Sequence, residues 1–300
     1  MNHASNLTSN HTRARLQLKQ RLTSKDIVVA PGIFDMISVR LADTMQFDCL
    51  YMTGFGTVAS YLGLPDAGLA TYTDMVSRVA AFCATSRTPI ICDGDTGYGG
   101  LLNIAHTVRG YERAGAAGIQ LEDQEFPKKC GHTPGRKVIA REDMVKKIKV
   151  AAETREDANF LIVARTDART SQGLEEALRR GEAYAKAGAD VLFIESPESV
   201  EELETIGRSF DLPLLVNIVE GGRTPQLAPA ELQKLGFSLA IYPASGFLAA
   251  TQALKHAYGE IHALKGTQHL QDSQYAFADI CTLLDFPAVW DFDRAHADPD

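Results

Sequence analysis

A chain of 300 residues, 45% of them hydrophobic, suffices for one large α/β domain or two ordinary ones and needs no covalent staples around its core. Its formal charge of −8, without any basic stripe, excludes a general polyanion-binding role. Cys49, Cys83, Cys92, Cys130 and Cys281 are an odd set with no pairing pattern; residues 1–12 are polar, and no apolar run reaches ~18 residues. A membrane span and a cleaved signal are therefore not expected, and the thiols read as reduced ones in the cytoplasm.

Residues 1–25 form an extension whose basic helical stretch, 12–22, is expected to cap the bottom of the fold. Eight apolar runs follow at 27–30, 49–52, 89–92, 118–121, 160–164, 191–194, 213–216 and 239–242, each short enough for a buried strand. Amphipathic segments at 73–85, 141–154, 174–187 and 228–235 lie between them, and Ser199 ahead of Glu201-Glu202 is helix-start chemistry. Eight strands alternating with helices over roughly 250 residues predict a (β/α)8 TIM-type barrel, assigned to residues 26–266. A doubly wound sheet usually has fewer strands, and no G-x-G-x-x-G turn follows any run. Beyond Gly266-Thr267, residues 267–300 resume apolar periodicity at Tyr275, Phe277, Ile280, Leu283, Leu284 and Phe286. That helical segment needs cover, from a neighbouring subunit or from its own barrel. Residues 295–300 are expected to be disordered.

Barrel enzymes carry their sites at the carboxyl ends of strands, which here hold an unusual collection of polar residues. The second run leads into Tyr51-Met52-Thr53-Gly54-Phe55-Gly56, a turn whose bare backbone can approach a ligand. The third leads into Asp93-Gly94-Asp95; two aspartates two apart on a strand share a face and repel unless a hard cation neutralises them. The fourth ends at Glu122, the fifth at Arg165, the sixth at Glu195, and the seventh at Asn217 with Glu220 beyond. Arg165 suits a bidentate grip on a substrate carboxylate. Any one of these residues alone serves equally well as a cap or core hydrogen-bond partner. Together they describe a divalent-metal site for a small carboxylated substrate.

After the fourth run comes Lys128-Lys129-Cys130-Gly131-His132. A cysteine flanked by cations and a histidine makes a poor core segment. It suits a mobile loop carrying an acid–base thiol, since nearby positive charge favours the thiolate. An exposed basic turn with an inert thiol is the bland alternative.

With LGLPDAG around Asp66, DGDTGYGG, LEDQ, KKCGH, VARTDA, FIES and VNIVEGGRTP, the chain resembles the isocitrate lyase / phosphoenolpyruvate mutase superfamily over residues 29–266. The likeness is greatest to its methylisocitrate lyase, dimethylmalate lyase, oxaloacetate hydrolase and petal death protein branches. The resemblance implies a barrel whose terminal helix is exchanged between paired subunits, usually in a homotetramer. It implies Mg2+, with Mn2+ as the alternative, at Asp93, Asp95 and Glu122, Asp93 being the more direct ligand. It further implies that Arg165 holds the 2-oxo acid fragment, with Glu195 and Asn217 on the opposite wall. Asp66, Lys128 and His132 correspond to gating-loop or near-site positions, and Cys130 to the cysteine that protonates the departing carboxylate. The activity implied is cleavage of a 2-hydroxy di- or tricarboxylate to a 2-oxo acid and a carboxylate, by retro-aldol-like chemistry.

Two departures bear on the substrate. Phe55 stands where methylisocitrate lyases have a second glycine, and Leu248 where they have an arginine for a distal carboxylate. Losing that cation disfavours a third carboxylate by a few kcal/mol. A dicarboxylate with an alkyl group suits the mouth better, with Arg223 as a substitute contact. The rival readings are an oxaloacetate hydrolase releasing oxalate and acetate, a carboxyphosphonoenolpyruvate mutase-like enzyme, and a non-catalytic metabolite-binding barrel. No nucleic-acid or membrane partner is expected.

Overall fold

A computed structural model describes residues 2–24, 26–131, 135–270 and 273–297, with side chains from residue 10 onward. Eight parallel strands close into a barrel in chain order: β1 (Val28–Ile33), β2 (Leu50–Met52), β3 (Ile90–Asp93), β4 (Gly118–Glu122), β5 (Leu161–Thr166), β6 (Val191–Ile194), β7 (Leu214–Asn217) and β8 (Leu239–Tyr242). The closing pair is β1 with β8, in a register that sets Val28 beside Leu239 and Pro31 beside Tyr242. Each strand is buried on both faces, which is why it reads as an unbroken apolar run. One face packs outward on the helices, and the other fills the barrel.

The N-terminal helix runs from Asn2 to Leu22, longer than its basic stretch suggested. Its Leu18 and Leu22 join the inner cluster with Val28, Cys49, Ile91 and Leu161, so the helix plugs the amino-terminal end of the barrel. Polar contacts clamp it there. Arg15 donates from Nε to the Ala116 carbonyl (2.9 Å) and from Nη2 to the Glu112 carbonyl (2.6 Å), and it pairs with Asp157 at 3.3 Å. Lys19 pairs with Asp190 and Arg21 with Asp48, both at the amino-terminal approach to a strand.

Residues up to Phe247 form one compact unit, and those from Leu248 onward a second. The second contains helices Phe277–Leu283 and Phe286–His296. Ala295 and His296 thus continue a helix rather than fraying as expected, because Phe292 and His296 stack one turn apart with ring centroids at 4.1 Å; the rest of that expectation, 298–300, lies outside the described residues. Among the described residues no helix is long and apolar enough to cross a membrane.

Candidate active site

The carboxyl ends of the strands carry the polar residues that the sequence singles out, and β3, β4, β5 and β7 extend one or two positions past their apolar runs to reach them. Asp93, the last residue of β3, is buried, and its Oδ1 accepts from the Asp95 amide (3.0 Å) and from Gln120 Nε2 (3.2 Å). Gln120 in turn takes the Tyr51 hydroxyl at 2.6 Å, so a chain of side chains inside the barrel orients the carboxylate. The other oxygen of Asp93 faces Gly54, where a Cβ would stand 2.6 Å from Oδ2. Only glycine permits that approach. Thr53, buried just before the helix Gly54–Leu62, is fixed by its amide on the Ile33 carbonyl at 3.1 Å. Phe55, 38% exposed, meets Phe247 edge-on at 5.8 Å.

Asp95 reaches Asp93 differently from the sequence expectation. Strand β3 stops at Asp93, and Asp95 lies beyond it with φ at +49°, in the left-handed region. A turn, not strand alternation, brings the two acids together. Lys128, 3% exposed, sets its ammonium 2.6 Å from both Asp66 and Asp95. Burial pushes Asp95 up to about 7; Asp93 and Asp66 add to the rise and Lys128 opposes it. Burial alone would lower the Lys128 ammonium, but the combined pull of Asp95, Glu122, Asp66 and Asp93 raises it well above its ordinary value. Lys128 is a fixed cation.

Across the mouth, Arg165 presents its Nε and Nη2 to Asp167 in a two-pronged contact at 2.9 Å each. That edge is taken up, leaving the Nη1–Nη2 edge for a ligand. Nη1 stands 3.4 Å from Glu122 Oε2 and Nη2 stands 3.4 Å from Glu195 Oε2, at ion-pair range rather than in tight hydrogen bonds. Glu195, fully buried, accepts from Ser196 Oγ (2.9 Å) and from Asn217 Nδ2 (3.2 Å). Glu122 Oε1 is buried with no hydrogen-bond partner among the described residues, and burial pushes its carboxyl well above the usual range against the pull of Arg165 and Lys128.

The cysteine loop is docked on this cluster. Gln124 braces it, donating to the Lys129 carbonyl (2.8 Å) and accepting from the Lys129 amide (2.9 Å). At Gly131 a Cβ would fall 2.5 Å from Arg165 Nη2 and 2.9 Å from Glu195 Oε2, and the Gly131 carbonyl accepts from Ser196 Oγ at 3.3 Å. Half-buried Cys130 therefore sits between Lys128, anchored on the acids, and Gly131, pressed against Arg165 and Glu195. His132 lies outside the described residues. Arg223 stands apart from these contacts, half-exposed on Glu198 at 3.3 Å, and Leu248 belongs to the second unit. Sequence reading passed over Gln120, although a polar residue two before Glu122 in an apolar strand shares its face. It also passed over Arg136, buried on Asp167, which carries no local signal.

No three His, Cys, Asp or Glu side chains among the described residues converge as a direct metal cage. The donors fit a hard cation that keeps much of its water and takes one or two carboxylates, as magnesium does. Three observations favour that fit. One oxygen of Asp93 faces a bare glycine, Glu122 holds an orphaned oxygen, and Asp95 is costly to ionise without further positive charge.

Residues 18–262 match the family described as phosphoenolpyruvate phosphomutase. The 2,3-dimethylmalate lyase of Eubacterium barkeri is 44% identical over 281 residues, 94% of this chain and 97% of that protein. The 2-methylisocitrate lyase of Aeropyrum pernix is 41% identical, over 91% of this chain and 88% of that one. A solved oxaloacetate acetylhydrolase, bound to the inhibitor 3,3-difluorooxalacetate, superimposes with a TM-score of 0.90 at 32% identity, covering 96% of this chain and 98% of that chain. Sequence, barrel and likeness agree: the chain belongs to the phosphoenolpyruvate phosphomutase family and is an enzyme of the PEP mutase/isocitrate lyase superfamily.

Proposed function

We propose that this enzyme is a magnesium-dependent carbon–carbon lyase that cleaves a 2-hydroxy di- or tricarboxylate, of the 2-alkylmalate, dimethylmalate or methylisocitrate type, to a 2-oxo acid and a carboxylate. The reading rests on one contact above all: the backbone beside Cys130 lies directly on Arg165 and Glu195, so a thiol borders the cation suited to a substrate carboxylate. The 44% identity to a dimethylmalate lyase supports the substrate class.

Asp93, with Asp95 and Glu122 through water, would hold the metal. A bound divalent cation supplies the Lewis acidity that lowers the pKa of the substrate's 2-hydroxyl. Arg165 grips the carboxylate of the 2-oxo acid fragment with its open edge. Asp167 is held by guanidinium groups, Asp66 by Lys128, and the remaining acids by the metal, which leaves Glu195 to accept the hydroxyl proton. The hydroxyl-bearing carbon becomes a ketone as its bond to the neighbouring carbon breaks. The bonding pair moves into the second carboxylate as an enediolate, and the Cys130 thiol protonates its carbon, leaving a thiolate. Lys128 keeps the loop seated over the acids and helps exclude water.

Product identification from a panel of malates, alkylmalates, methylisocitrate, isocitrate and oxaloacetate tests this. The expected result is magnesium-dependent release of a 2-oxo acid, greatest with an alkylmalate; methylisocitrate outperforming every alkylmalate overturns that preference. A second reading, hydrolysis of oxaloacetate to oxalate and acetate, is favoured by the close superposition on the acetylhydrolase, and oxalate release in the same panel identifies it. The proposal extends to a cytoplasmic homo-oligomer, a dimer of helix-exchanged dimers. It is supported by exposed apolar residues of the second unit such as Tyr258, Phe277, Trp290 and Phe292.

A further inference from the structure

Asp167 serves two guanidinium groups at once. Arg165 meets it through two hydrogen bonds of 2.9 Å, and Arg136 donates from Nη1 to the same Oδ1. Arg136 comes from the return arm of the cysteine loop. That arm is tied to the outgoing one by a bridge between Gln124 and Val138 and by the Glu125 amide on the Lys137 carbonyl at 2.9 Å. The side chain of Arg136 is 1% exposed, its Nη2 donates to Thr170 Oγ1 at 2.7 Å, and its Nε has no hydrogen-bond partner among the described residues. Complete hydrogen bonding therefore does not explain why it is buried. Its charge does.

With Arg165 alone, Asp167 would form a neutral pair, and little positive field would remain for an incoming carboxylate. With Arg136 the trio carries a net positive charge, which offsets the carboxyl groups of Glu122 and Glu195, each 3.4 Å from Arg165, in a buried setting where such fields are weakly screened. The Asp167 backbone is fixed by its amide on Asp123 Oδ1 at 2.9 Å, and its carboxylate is held between the two guanidinium groups.

We infer that Arg136 is a positioning residue: by sharing Asp167 it keeps the outer edge of Arg165 charged and aimed at the substrate carboxylate, and so ties carboxylate recognition to the segment that carries Cys130. This deepens the lyase reading and rests on it. Arg136 itself touches no substrate.

The test measures oxalate affinity by calorimetry in saturating magnesium, alongside kcat and KM with the best panel substrate, for wild type, Arg136→Gln and Arg136→Lys. Oxalate is the probe because its planar pair of adjacent oxygen-bearing carbons mimics a 2-oxo acid. Arg136→Gln is expected to weaken oxalate binding and raise KM about tenfold, with a smaller effect on kcat, and Arg136→Lys to recover most of both. A purely structural role would lower the melting temperature of both variants and leave oxalate affinity unchanged; that result overturns the inference. If Arg136→Gln does not fold, Thr170→Val, which removes only the second anchor, is expected to weaken oxalate binding in the same direction, and unchanged affinity there overturns the inference equally. A wild-type protein that binds no oxalate defeats the reading of the site itself, and this inference with it. Normal wild-type binding with indifferent variants defeats the positioning role alone.

Discussion

At the scale of single residues, Cys130 and Asp95 carry the sharpest expectations. A serine hydroxyl is a far weaker acid than a thiol, so Cys130→Ser should lower kcat by about 100-fold or more while sparing magnesium affinity. Steady-state kinetics with a magnesium titration check this, and unchanged turnover removes the cysteine from the mechanism. Asp95 makes a prediction about pH. Its folded pKa, about 7, lies above the ordinary value of 3.8, so the fold favours the protonated form. The associated stability is full below pH 4 or so and is lost as pH rises through about 7. Magnesium should offset that loss by favouring the anion. The rise in melting temperature on adding magnesium should therefore be larger at pH 8 than at pH 5.5, and Asp95→Asn should flatten the difference. Equal rises at both pH values argue against Asp95 as a partner of the ion. The acids themselves were legible in the sequence; how they meet was not. A left-handed residue such as Asp95 leaves no periodic trace, and a long-range partner such as Arg136 for Asp167 is set by tertiary packing alone.

At the scale of elements, the strands were legible because parallel barrel strands are buried on both sides. Their ends were legible only in part. The apolar pattern stops at Cys92, Leu121, Ala164 and Val216, whereas the backbone ladder continues to Asp93, Glu122, Thr166 and Asn217. Polar site residues occupy those last positions: the sequence placed the fourth end at Glu122 and the seventh at Asn217, as the backbone has them, but stopped one residue short at Arg165 and ran one past Ile194 to Glu195. The N-terminal helix is the element whose role is most exposed to test. Arg15 makes two hydrogen bonds to the barrel's amino-terminal end, pairs with Asp157 and lies over the Phe160 ring at 5.5 Å. Arg15→Ala orphans the Ala116 carbonyl, strips the Glu112 carbonyl of its charged donor and leaves Asp157 without its cation, and should cost about 3 kcal/mol of stability, measured by urea unfolding. Activity of the folded variant should be normal, because the plug is at the opposite end from the mouth. A large loss of kcat without loss of stability would contradict that division.

At the scale of the whole molecule, the barrel separates its tasks: the N-terminal helix is clamped at the amino-terminal end and the candidate site lies at the carboxyl-terminal end. Residues from Leu248 onward fit neither task alone. Among the described residues they hold 12 of the 23 large hydrophobic side chains that stand exposed, although they are 53 of 300 residues, and helix Ser245–Leu264 has no buried residue at all. Apolar surface on that scale supports the proposed interface with an identical chain, since a monomer leaving it in water would associate without specificity. The proposed exchange of this segment between identical chains would cover it symmetrically and close the assembly. Phe277→Asp combined with Trp290→Asp puts two charges into such a seam, where each would lose its hydration without a partner. Light scattering should then give a smaller assembly than the wild type, with far-ultraviolet circular dichroism unchanged because the barrel does not depend on those side chains. A wild-type chain that is monomeric and fully active would remove the seam, and a double variant with undiminished mass would move it elsewhere on the surface.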